Sequence, residues 1–421
     1  MRIGIFTDTY LPYVSGLVTS ELMLKKSLEA MGHEVFVVTA NLENFKYIND
    51  KENKVIYIPG VPIGIYDARL TGIYSTRAIN QIRKWKLDII HSQTEFGIGT
   101  FARMVSKQLR IPLVHTYHTM YEDYIYYITK GHFDKTSKRF VEYLTRFYCD
   151  KTVTELIVPS SKIYNIFMKK YQVNKKVNII GTGMDIERFF KTSFKKEDIN
   201  NLKKKYNIKE KDFVIGTISR VAKEKSIDKI ISTYKTILER IPNSKLLIVG
   251  DGPDREDLQK LTKKLGLEKN VIFTLKVPIE EVQSYYQLID VFVTFSTTET
   301  QGLTVLEAMA ASIPVLAIKD DSFVDSVEDK VNGYLFTSEE EYIEDVLRLY
   351  NDKKIYKEMS DKSLELSHKH SYNEFGKQVY DVYVDTIKEY KKHTLINEIK
   401  GVINKTKSIG KKKNKKEKST K

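Results

Sequence analysis

The sequence contains almost no cysteine and no long apolar segment. Cys149 is the single cysteine among 421 residues, so an internal disulfide and a metal site built from several thiolates are both excluded. No run of 18 or more apolar residues occurs, which argues against a membrane-spanning helix. Asp8 follows the first residue too closely for the apolar region of a signal peptide. Together these absences predict a cytosolic protein.

Several well-known catalytic and nucleotide-binding motifs are also missing. The sequence has no Gly-x-Ser-x-Gly elbow, no P-loop and no recognised metal-binding motif. The loop at 7–16 lacks the Gly-x-Gly-x-x-Gly fingerprint, and the Gly-Asp-Gly-Pro segment at 250–253 lacks the third glycine. A dinucleotide-dependent oxidoreductase is therefore disfavoured, although tight NAD binding would revive it.

The length and the charge distribution indicate two domains and a basic tail. A chain of 421 residues with 41% hydrophobic and 29% charged residues is typical of a globular protein with two cores. The net charge is +14, and residues 401–421 contribute nine lysines against one glutamate. Residues 393–421 are predicted to be disordered, because they have no apolar face to bury. Such a tail could bind nucleic acid, contact an anionic membrane or only increase solubility.

Short β-branched runs alternate with amphipathic helical patterns, and the pattern restarts at Phe213 after a lysine-rich stretch. This alternation predicts an α/β fold with two Rossmann-like, doubly wound parallel-sheet domains that face each other across a cleft. We expect an N-terminal domain at 1–186, a linker at 187–212 and a C-terminal domain at 213–370. The predicted strands lie at 3–6, 34–39, 55–58, 88–92, 113–118, 156–158, 213–218, 245–249, 270–274, 291–295 and 315–318.

Two loops at predicted strand ends carry groups that suit a phosphate. Gly16 follows the first strand at the start of a helix, where backbone N–H groups can approach an anion. The alternative is an ordinary tight turn capped by Ser15. Arg220 and Lys225 follow the first strand of the second domain, and two fixed cations would neutralise a diphosphate leaving group. Solvated surface charge is the alternative for this pair.

The segment 299–307, Glu-Thr-Gln-Gly-Leu-Thr-Val-Leu-Glu, is the most informative part of the sequence. It follows a predicted strand, and Gly302 precedes an apolar helix whose N-terminus attracts anions. Glu299 and Glu307 could each accept hydrogen bonds from neighbouring hydroxyls, such as those of a sugar. Otherwise Glu299 is a solvated side chain and Glu307 only interacts favourably with the helix dipole.

His115 and His118 lie at the end of a further predicted strand. Side chains three residues apart point to opposite faces of a strand, so we expect His115 in the core and His118 in the cleft. A metal site is disfavoured, because no companion carboxylate or cysteine pattern supports it. A buried, hydrogen-bonded side chain is the alternative for His118.

In this order, these segments resemble the retaining glycosyltransferases of family 4, which have the GT-B fold. The resemblance covers about nine-tenths of the chain, and its most specific element is the Glu-x7-Glu spacing of Glu299 and Glu307. Two departures from the wider family occur: Thr182 replaces the common asparagine before Gly183, and Ser15 stands where many members have glycine. The greatest similarity is to the 1,2-diacylglycerol 3-glucosyltransferases of low-GC Gram-positive bacteria and mollicutes, at segments 10–16, 91–96, 116–122 and 299–303.

The resemblance implies a nucleotide-sugar donor, expected to be UDP-glucose, with no obligatory metal and no other cofactor. Glu307 would accept hydrogen bonds from the ribose and Glu299 from the donor sugar, while His118 would orient the sugar at the reacting centre. The implied catalytic residues are His118, Glu299, Arg220 and Lys225. The implied donor-binding residues are Gly16, Arg220, Lys225, Glu299, Gln301, Gly302, Leu303 and Glu307.

The activity implied by the resemblance is transfer of a hexose, with retention, to diacylglycerol, which would give a monoglycosyldiacylglycerol membrane lipid. The acceptor could instead be a sugar, a polyprenyl lipid or a protein. A remote alternative is a basic-tailed nucleic-acid-binding protein, although no nucleic-acid-binding module is recognised. The resemblance further implies that a helix at 371–392 crosses back to the N-terminal domain.

A diacylglycerol acceptor would require contact with a membrane, and residues 66–87 form a candidate basic amphipathic helix. The alternative is an ordinary helix that covers the sheet. The stretches 121–127 and 139–148 would line the acceptor path or pack in the core. We expect a peripheral protein on the inner face of the cell membrane, attracted to anionic phospholipid. The predicted membrane-binding residues are Arg69, Arg77, Arg83, Lys84, Trp85 and Lys86.

Overall fold

A computed structural model describes residues 1–13, 15–41, 45–62, 69–71, 75–118 and 135–418 of the chain. Within these ranges the chain forms two β-sheets, each with helices on both faces. The first sheet uses residues from the N-terminal half, and the second uses residues from Phe213 onward. The predicted α/β fold with two doubly wound sheets is confirmed.

The N-terminal sheet has the strand order β3-β4-β2-β1-β6-β7-β8-β9, with β5 paired to β4. Strands β3 and β5 pair antiparallel with β4, whereas the other pairs are parallel. The strands are β1 (Arg2–Thr7), β2 (Glu34–Asn41), β3 (Ile48–Asp50), β4 (Val55–Pro62), β5 (Arg69–Thr71), β6 (Ile89–Ser92), β7 (Leu113–Thr116), β8 (Glu155–Val158) and β9 (Val177–Ile179).

The C-terminal sheet is parallel throughout and has the strand order β12-β11-β10-β13-β14-β15. Counted along the domain, this is the 3-2-1-4-5-6 order of doubly wound folds. The strands are β10 (Phe213–Ile218), β11 (Ser244–Val249), β12 (Val271–Phe273), β13 (Val291–Thr294), β14 (Val315–Ile318) and β15 (Gly333–Phe336).

The helices cover the faces of the two sheets and connect their strands. They are α1 (Gly16–Ala30), α2 (Thr76–Trp85), α3 (Gly97–Leu109), α4 (Lys135–Arg146), α5 (Ser161–Asn165), α6 (Lys196–Lys205), α7 (Ile227–Arg240), α8 (Arg255–Lys264), α9 (Val282–Tyr286), α10 (Leu303–Ala310), α11 (Glu339–Asn351), α12 (Lys353–Ser367) and α13 (Tyr372–Lys418).

Alternate residues of the central strands enter separate cores on the two sheet faces. Val214 and Leu247 belong to one buried cluster, while their neighbours Ile215 and Leu246 belong to another. Burial on both faces explains the continuous apolar runs that predicted parallel strands. All eleven predicted strands are present, while β3, β5, β9 and β15 are not predicted. Three of these four are only three residues long, too short to show a clear period.

Residues 187–212, predicted to be a linker, pack against the C-terminal domain. Phe189 and Ile208 are buried in one of its cores, and Leu202 of α6 packs against the same cluster. These few apolar positions are difficult to recognise in a lysine-rich segment, because α6 has only one narrow apolar face. The segment is therefore part of the C-terminal domain rather than a free connection.

Helix α13 returns to the N-terminal domain, as the family resemblance implied. Val379 and Tyr383 are fully buried in a core that also contains Ile3 and Leu24. The hydroxyl of Tyr383 lies 2.7 Å from Nδ1 of the buried His91. Helix α13 therefore packs in the same core as the first strand and the first helix of the chain.

Helix α13 extends to Lys418, into the segment 393–421 for which a disordered tail was predicted. Lysine and glutamate have high helix propensity, and no proline interrupts the segment. Despite its length, α13 is too polar to cross a bilayer, and no other helix in the described ranges has the length and hydrophobicity needed.

Candidate active site

The candidate site lies where the carboxyl ends of the two sheets face each other. In each sheet the strand order reverses beside the first strand, between β1 and β6 and between β10 and β13. Ligands of doubly wound folds bind at such switch points. A Cβ atom added at Gly16 would lie 3.8 Å from Cδ1 of Leu303, so the N-termini of α1 and α10 meet across the cleft. Two helix N-termini directed at one place favour an anion there.

Lys225 and Glu299 form an ion pair at the switch point of the C-terminal sheet. Lys225 ends a short 3-10 turn after β10, and Glu299 lies in the loop after β13. Their side chains are only 22% and 24% exposed. Partial burial strengthens the attraction within such a pair relative to a pair in water.

Arg220 lies in the loop after β10 and is exposed to solvent. Within the described ranges its guanidinium has no hydrogen-bond or ion-pair partner. An exposed guanidinium carries five N–H donors in a geometry that matches phosphate oxygens. Together with Lys225, it supplies the two cations predicted for a diphosphate.

Gly302 forms the turn that leads from the loop into α10. Its φ of +79° lies in the left-handed region, and a Cβ atom there would come within 2.6 Å of Cε1 of Phe323. Both the backbone conformation and the packing therefore require glycine. Leu303 begins α10 and packs against the domain core, which fixes the helix N-terminus at the cleft.

Glu307 lies in α10, and its carboxylate accepts a hydrogen bond from the hydroxyl of Tyr286 at 2.6 Å. Protein surrounds this carboxyl group, and the loss of water raises its pKa to about 7, although the Tyr286 hydroxyl and Arg188 act in the opposite direction. One carboxylate oxygen remains to accept from a ligand hydroxyl. The energetic cost of burial without a full set of partners points to a functional position.

Gln301 departs from the donor-binding role that was predicted for it. Its side-chain amide is buried and forms hydrogen bonds with the backbone of Thr182, in the N-terminal domain. The spacing around Glu299 and Glu307 could not reveal this contact, because the partner lies 119 positions away. The side chain of Gln301 therefore bridges the domains instead of facing a ligand.

His115 and His118 differ in burial. His115 is fully buried, with Nδ1 2.9 Å from the carbonyl of Ser92 and Nε2 3.0 Å from the Glu95 carboxylate. His118 is partly exposed beyond the end of β7, and its Nε2 lies 2.7 Å from Oε1 of Gln93. Burial of the ring lowers the pKa of His118 to about 4, so the imidazole is neutral at pH 7.

Glu95, His115 and Cys149 come within 4.8 Å of one another in the N-terminal core, where all three are buried. The sequence did not reveal this grouping, which brings a carboxylate and a thiol beside the histidine. Two observations disfavour a metal ion there. The histidine and the carboxylate already contact each other directly. Burial lowers the pKa of His115 and raises that of Cys149, and Arg103 lies close enough for its positive charge to act on both groups. A nearby guanidinium opposes a second cation.

Comparison with known proteins decides the family. The model described as Glycosyltransferase Family 4 matches residues 14–188, and the model described as Glycosyl transferases group 1 matches residues 198–365. The chain is 38% identical over 393 residues to the alpha-monoglucosyldiacylglycerol synthase of Acholeplasma laidlawii, covering 92% of this chain and 96% of that protein. The chain is a family 4 glycosyltransferase.

A second relative of this glycosyltransferase is the alpha-monoglucosyldiacylglycerol synthase of Streptococcus pneumoniae R6. The two are 35% identical over 390 residues, which cover 92% of this chain and 86% of the relative. HepE from Anabaena, solved in complex with UDP, superimposes with a TM-score of 0.70 at 18% identity, covering 91% of this chain and all of HepE. A glycosyltransferase from Rickettsia africae gives 0.72 at 14% identity, covering 92% and 99%. The glycosyltransferase therefore has the GT-B fold.

The structure separates the predicted membrane-binding residues of the glycosyltransferase into two groups. Arg77, Arg83, Lys84 and Lys86 are exposed on or just after α2, whereas Trp85 is 7% exposed and stacks on Phe36 with ring centroids 4.7 Å apart. The prediction that Trp85 contacts a membrane is therefore wrong, because the apolar face of α2 covers the sheet. Arg69 lies in β5, and its side chain is outside the described part of the structure, as are several residues of the predicted helix at 66–87.

The two stretches expected to line an acceptor path have different outcomes. Residues 121–127 lie outside the described residues. In the second stretch, Tyr143 is 65% exposed, and Phe147, just beyond α4, is 43% exposed. Phe96, at the end of the loop after β6, is 42% exposed and contacts Tyr148 edge to face. These rings are therefore not packed in the core.

Sequence reasoning missed several polar side chains that support the site. Gln93 holds His118, Tyr286 holds Glu307, and Asp8 accepts a hydrogen bond from the backbone N–H of Ile98 at 2.7 Å. Burial raises the pKa of Asp8 to about 7. Asp8 and Gln93 both follow strands directly, so position at a strand end could have identified them. Tyr286 carries no comparable feature in the sequence.

Proposed function

We propose that this glycosyltransferase transfers the glucosyl group of UDP-glucose to the 3-hydroxyl of diacylglycerol and retains the anomeric configuration. The observation that carries the proposal is full-length similarity to two proteins named alpha-monoglucosyldiacylglycerol synthase, from Acholeplasma laidlawii and Streptococcus pneumoniae. The chemistry of the strand ends supports it, since Arg220, Lys225 and Glu299 follow strands of the C-terminal sheet and the neutral imidazole of His118 follows a strand of the N-terminal sheet.

The diphosphate of the donor would bind to Arg220, Lys225 and the N-termini of α1 and α10. Bond cleavage leaves extra negative charge on the departing phosphate, and fixed positive groups stabilise that charge without reorganising. Because Lys225 is already fixed by Glu299, its ammonium group is oriented before the donor arrives. The glycines at 16 and 302 let the backbone approach the phosphate oxygens closely.

Glu299 and Glu307 would bind the two hydroxyl-bearing parts of the donor. Glu299, beside Lys225, would accept from hydroxyls of the glucose. Glu307 would accept from the ribose through the oxygen that Tyr286 does not occupy. Neither carboxylate acts as a nucleophile in this proposal.

The acceptor hydroxyl would approach from the side of His118 and attack the anomeric carbon on the face that the phosphate leaves. The bond from that carbon to the phosphate oxygen breaks, the bond to the acceptor oxygen forms, and the hydroxyl proton passes to the departing phosphate. When Nε2 of His118 donates its proton to Gln93, Nδ1 of His118 carries no proton and can accept a hydrogen bond from a sugar hydroxyl. His118 therefore orients the sugar and adds no positive charge.

Two surface features support a lipid acceptor. Phe96, Tyr143 and Phe147 of the N-terminal domain have exposed aromatic side chains, and aromatic rings favour the boundary between water and lipid. The exposed cations Arg83 and Lys84 on α2 would be attracted to anionic phospholipid. We therefore propose that the enzyme works as a peripheral protein at an anionic membrane surface.

The direct test uses UDP-glucose labelled in the sugar and vesicles that contain diacylglycerol, with or without anionic phospholipid. We expect an α-linked monoglucosyl lipid, formed faster when anionic phospholipid is present. Release of UDP without any lipid product would support UDP-glucose as the donor but contradict diacylglycerol as the acceptor. A soluble sugar or a protein would then be the favoured acceptor. Transfer that is unaffected by anionic phospholipid would reject the electrostatic membrane contact alone.

A further inference from the structure

The loop that carries Glu299 contacts the N-terminal domain through several side chains. Oγ of Ser160 donates to the carbonyl of Thr300 at 2.5 Å, and Nζ of Lys162 donates to the carbonyl of Thr297 at 2.6 Å.

The contact made by Gln301 is the one that is buried on both sides. The backbone N–H of Thr182 donates to Oε1 of Gln301 at 2.8 Å, and Nε2 of Gln301 donates to the carbonyl of Thr182 at 3.2 Å. Both bonds are buried. One amide therefore pairs with both backbone groups of a single residue in the other domain, a geometry that fixes direction as well as distance.

Gly181 provides the space that this amide occupies. A Cβ atom at this glycine would lie 2.6 Å from Nε2 of Gln301, so the amide would have to move away. The backbone of Gly181 does not have the positive φ that would by itself require glycine. The close approach of the Gln301 amide therefore explains the glycine.

The contact continues from Thr182 into α1. The hydroxyl of Thr182 lies 3.3 Å from the hydroxyl of Ser20, and this contact is also buried. Ser20 lies about one turn beyond Gly16, at the end of α1 that faces the cleft. A short path of hydrogen bonds thus runs from the loop with Glu299 to the helix whose N-terminus meets Leu303.

Nearby interdomain bonds are more open to solvent. Lys162 pairs with Asp320 at 2.9 Å, and Ser161 bonds to Asp325, in an exposed setting for the second pair. Salt and water weaken such contacts. The Gln301 contact is shielded from both and sits directly beside the proposed site.

We propose that Gln301 is a positioning residue, which aligns the donor loop of the C-terminal domain with His118 and α1 of the N-terminal domain through Thr182. It touches no reacting atom. The groups proposed to bind the donor diphosphate and ribose lie mostly in the C-terminal domain, so loss of Gln301 should disturb alignment more than binding. The inference rests on the proposed function only for the choice of UDP-glucose as the probe.

The first test replaces Gln301 by alanine and separates turnover from binding. We expect kcat to fall by about tenfold or more, since small misplacements of reacting groups are costly. The dissociation constant for UDP should stay within about twofold, because the C-terminal donor groups are unchanged. Hydrolysis of UDP-glucose without lipid supplies a second rate that does not depend on the acceptor.

The matched control is Gln287→Ala. Nε2 of Gln287 donates to the carbonyl of Phe189 at 2.8 Å, a bond of the same kind within the C-terminal domain. We expect this variant to lose stability without losing kcat. An equal loss of kcat in both variants, or none in Gln301→Ala, would overturn the positioning role.

The second test uses Gly181→Ala, which should displace the Gln301 amide by contact. This variant should reproduce the kinetic defect of Gln301→Ala. The double variant should be no slower than Gln301→Ala alone, because the added methyl group then meets no amide. If the two losses multiply instead, the residues act independently and the inference fails.

A third measurement does not depend on the donor. Spin labels at the exposed residues Lys107 and Lys263 would report the distribution of distances between the domains. We expect a broader distribution in Gln301→Ala than in the wild type or in Gln287→Ala. An unchanged distribution would overturn the inference. If wild-type protein neither binds UDP nor hydrolyses UDP-glucose, the proposed donor is wrong, and this distance measurement still tests Gln301.

Discussion

The two sheets share one strand order around their switch points, yet the residues at their carboxyl ends differ in charge. In the C-terminal domain these loops carry Arg220, Lys225 and Glu299, which are charged and at least partly exposed. In the N-terminal domain the loop after β7 carries His118, whose pKa burial lowers to about 4. One fold thus provides a charged side and a neutral side of the same cleft.

The difference shows how a duplicated architecture can bind two unlike substrates. A diphosphate requires cations and helix N-termini, and it tolerates partial exposure because it remains charged throughout. A neutral alcohol that leaves a membrane gains nothing from fixed charge, and a neutral imidazole can orient the donor sugar without attracting the diphosphate. The predictions below test this division between the two sides.

The largest effect should follow from breaking the charged side. Lys225→Ala and Glu299→Gln should each lower turnover by about 10²-fold or more, because each removes a contact that stabilises the transition state. Labelled lipid product measures the rate. Lys223→Ala is the matched control, since Lys223 lies in the same turn but is exposed. Near-normal rates for both Lys225→Ala and Glu299→Gln would show that the active site does not include these two residues.

The neutral side should respond nearly as strongly. His118→Ala should lower turnover by about 10- to 100-fold through loss of sugar orientation. Because the pKa of His118 is about 4, its protonation should not reduce the rate between pH 7 and pH 5. Steady-state rates over this range, compared with those of the exposed control His393→Ala, measure both effects. Unchanged turnover in His118→Ala would assign the ring to packing.

Glu307 offers a smaller, pH-dependent test on the charged side. Its folded-state pKa of about 7 lies above the ordinary value of 4.5, so it holds a proton that must leave before the carboxylate can accept from ribose. UDP affinity should therefore rise with pH and level off above about pH 7, with a change approaching tenfold per pH unit below it. Calorimetric titration of UDP at several pH values measures this.

Glu307→Gln should remove that pH dependence while leaving Asp8, which titrates in the same range, unchanged. Protonation of Glu307 also makes the free energy of unfolding of the wild type depend on pH. Between pH 4.5 and 7 the folded wild type binds more protons than the unfolded chain, so wild-type stability falls as pH rises. Relative to the wild type, Glu307→Gln should gain up to about 3 kcal/mol over this window. Parallel curves for the two proteins would contradict the raised pKa.

The smallest effects concern the surface that we propose approaches the membrane. Removing one of the exposed charges Arg83, Lys84 or Lys86 should weaken binding to anionic vesicles by about 1 kcal/mol. Trp85→Phe should leave vesicle binding unchanged, because Trp85 packs on Phe36 inside the domain. Sedimentation with vesicles measures both. If Trp85→Phe weakened vesicle binding and the charge variants did not, Trp85 would have to contact the membrane.

The amphipathic pattern of α2 shows where sequence reasoning stops. Its helical period identifies an apolar face that contains Ile82 and Trp85, and the structure has that face buried. The same period would suit a helix lying on a membrane, because the pattern defines a face but not what covers it. Only the neighbouring strands, far away in sequence, resolve the choice.

The sequence by itself determined the parallel strands of the two sheets and the strand ends that carry Arg220, Lys225, Glu299 and His118. Burial on both faces demands continuous apolar runs, and the carboxyl edge of a parallel sheet follows from the direction of the chain. The tertiary structure alone decided which side chains meet. Gln301 and Thr182, 119 positions apart, are brought together only when the domains pack, since nothing in a local pattern records a partner in another domain.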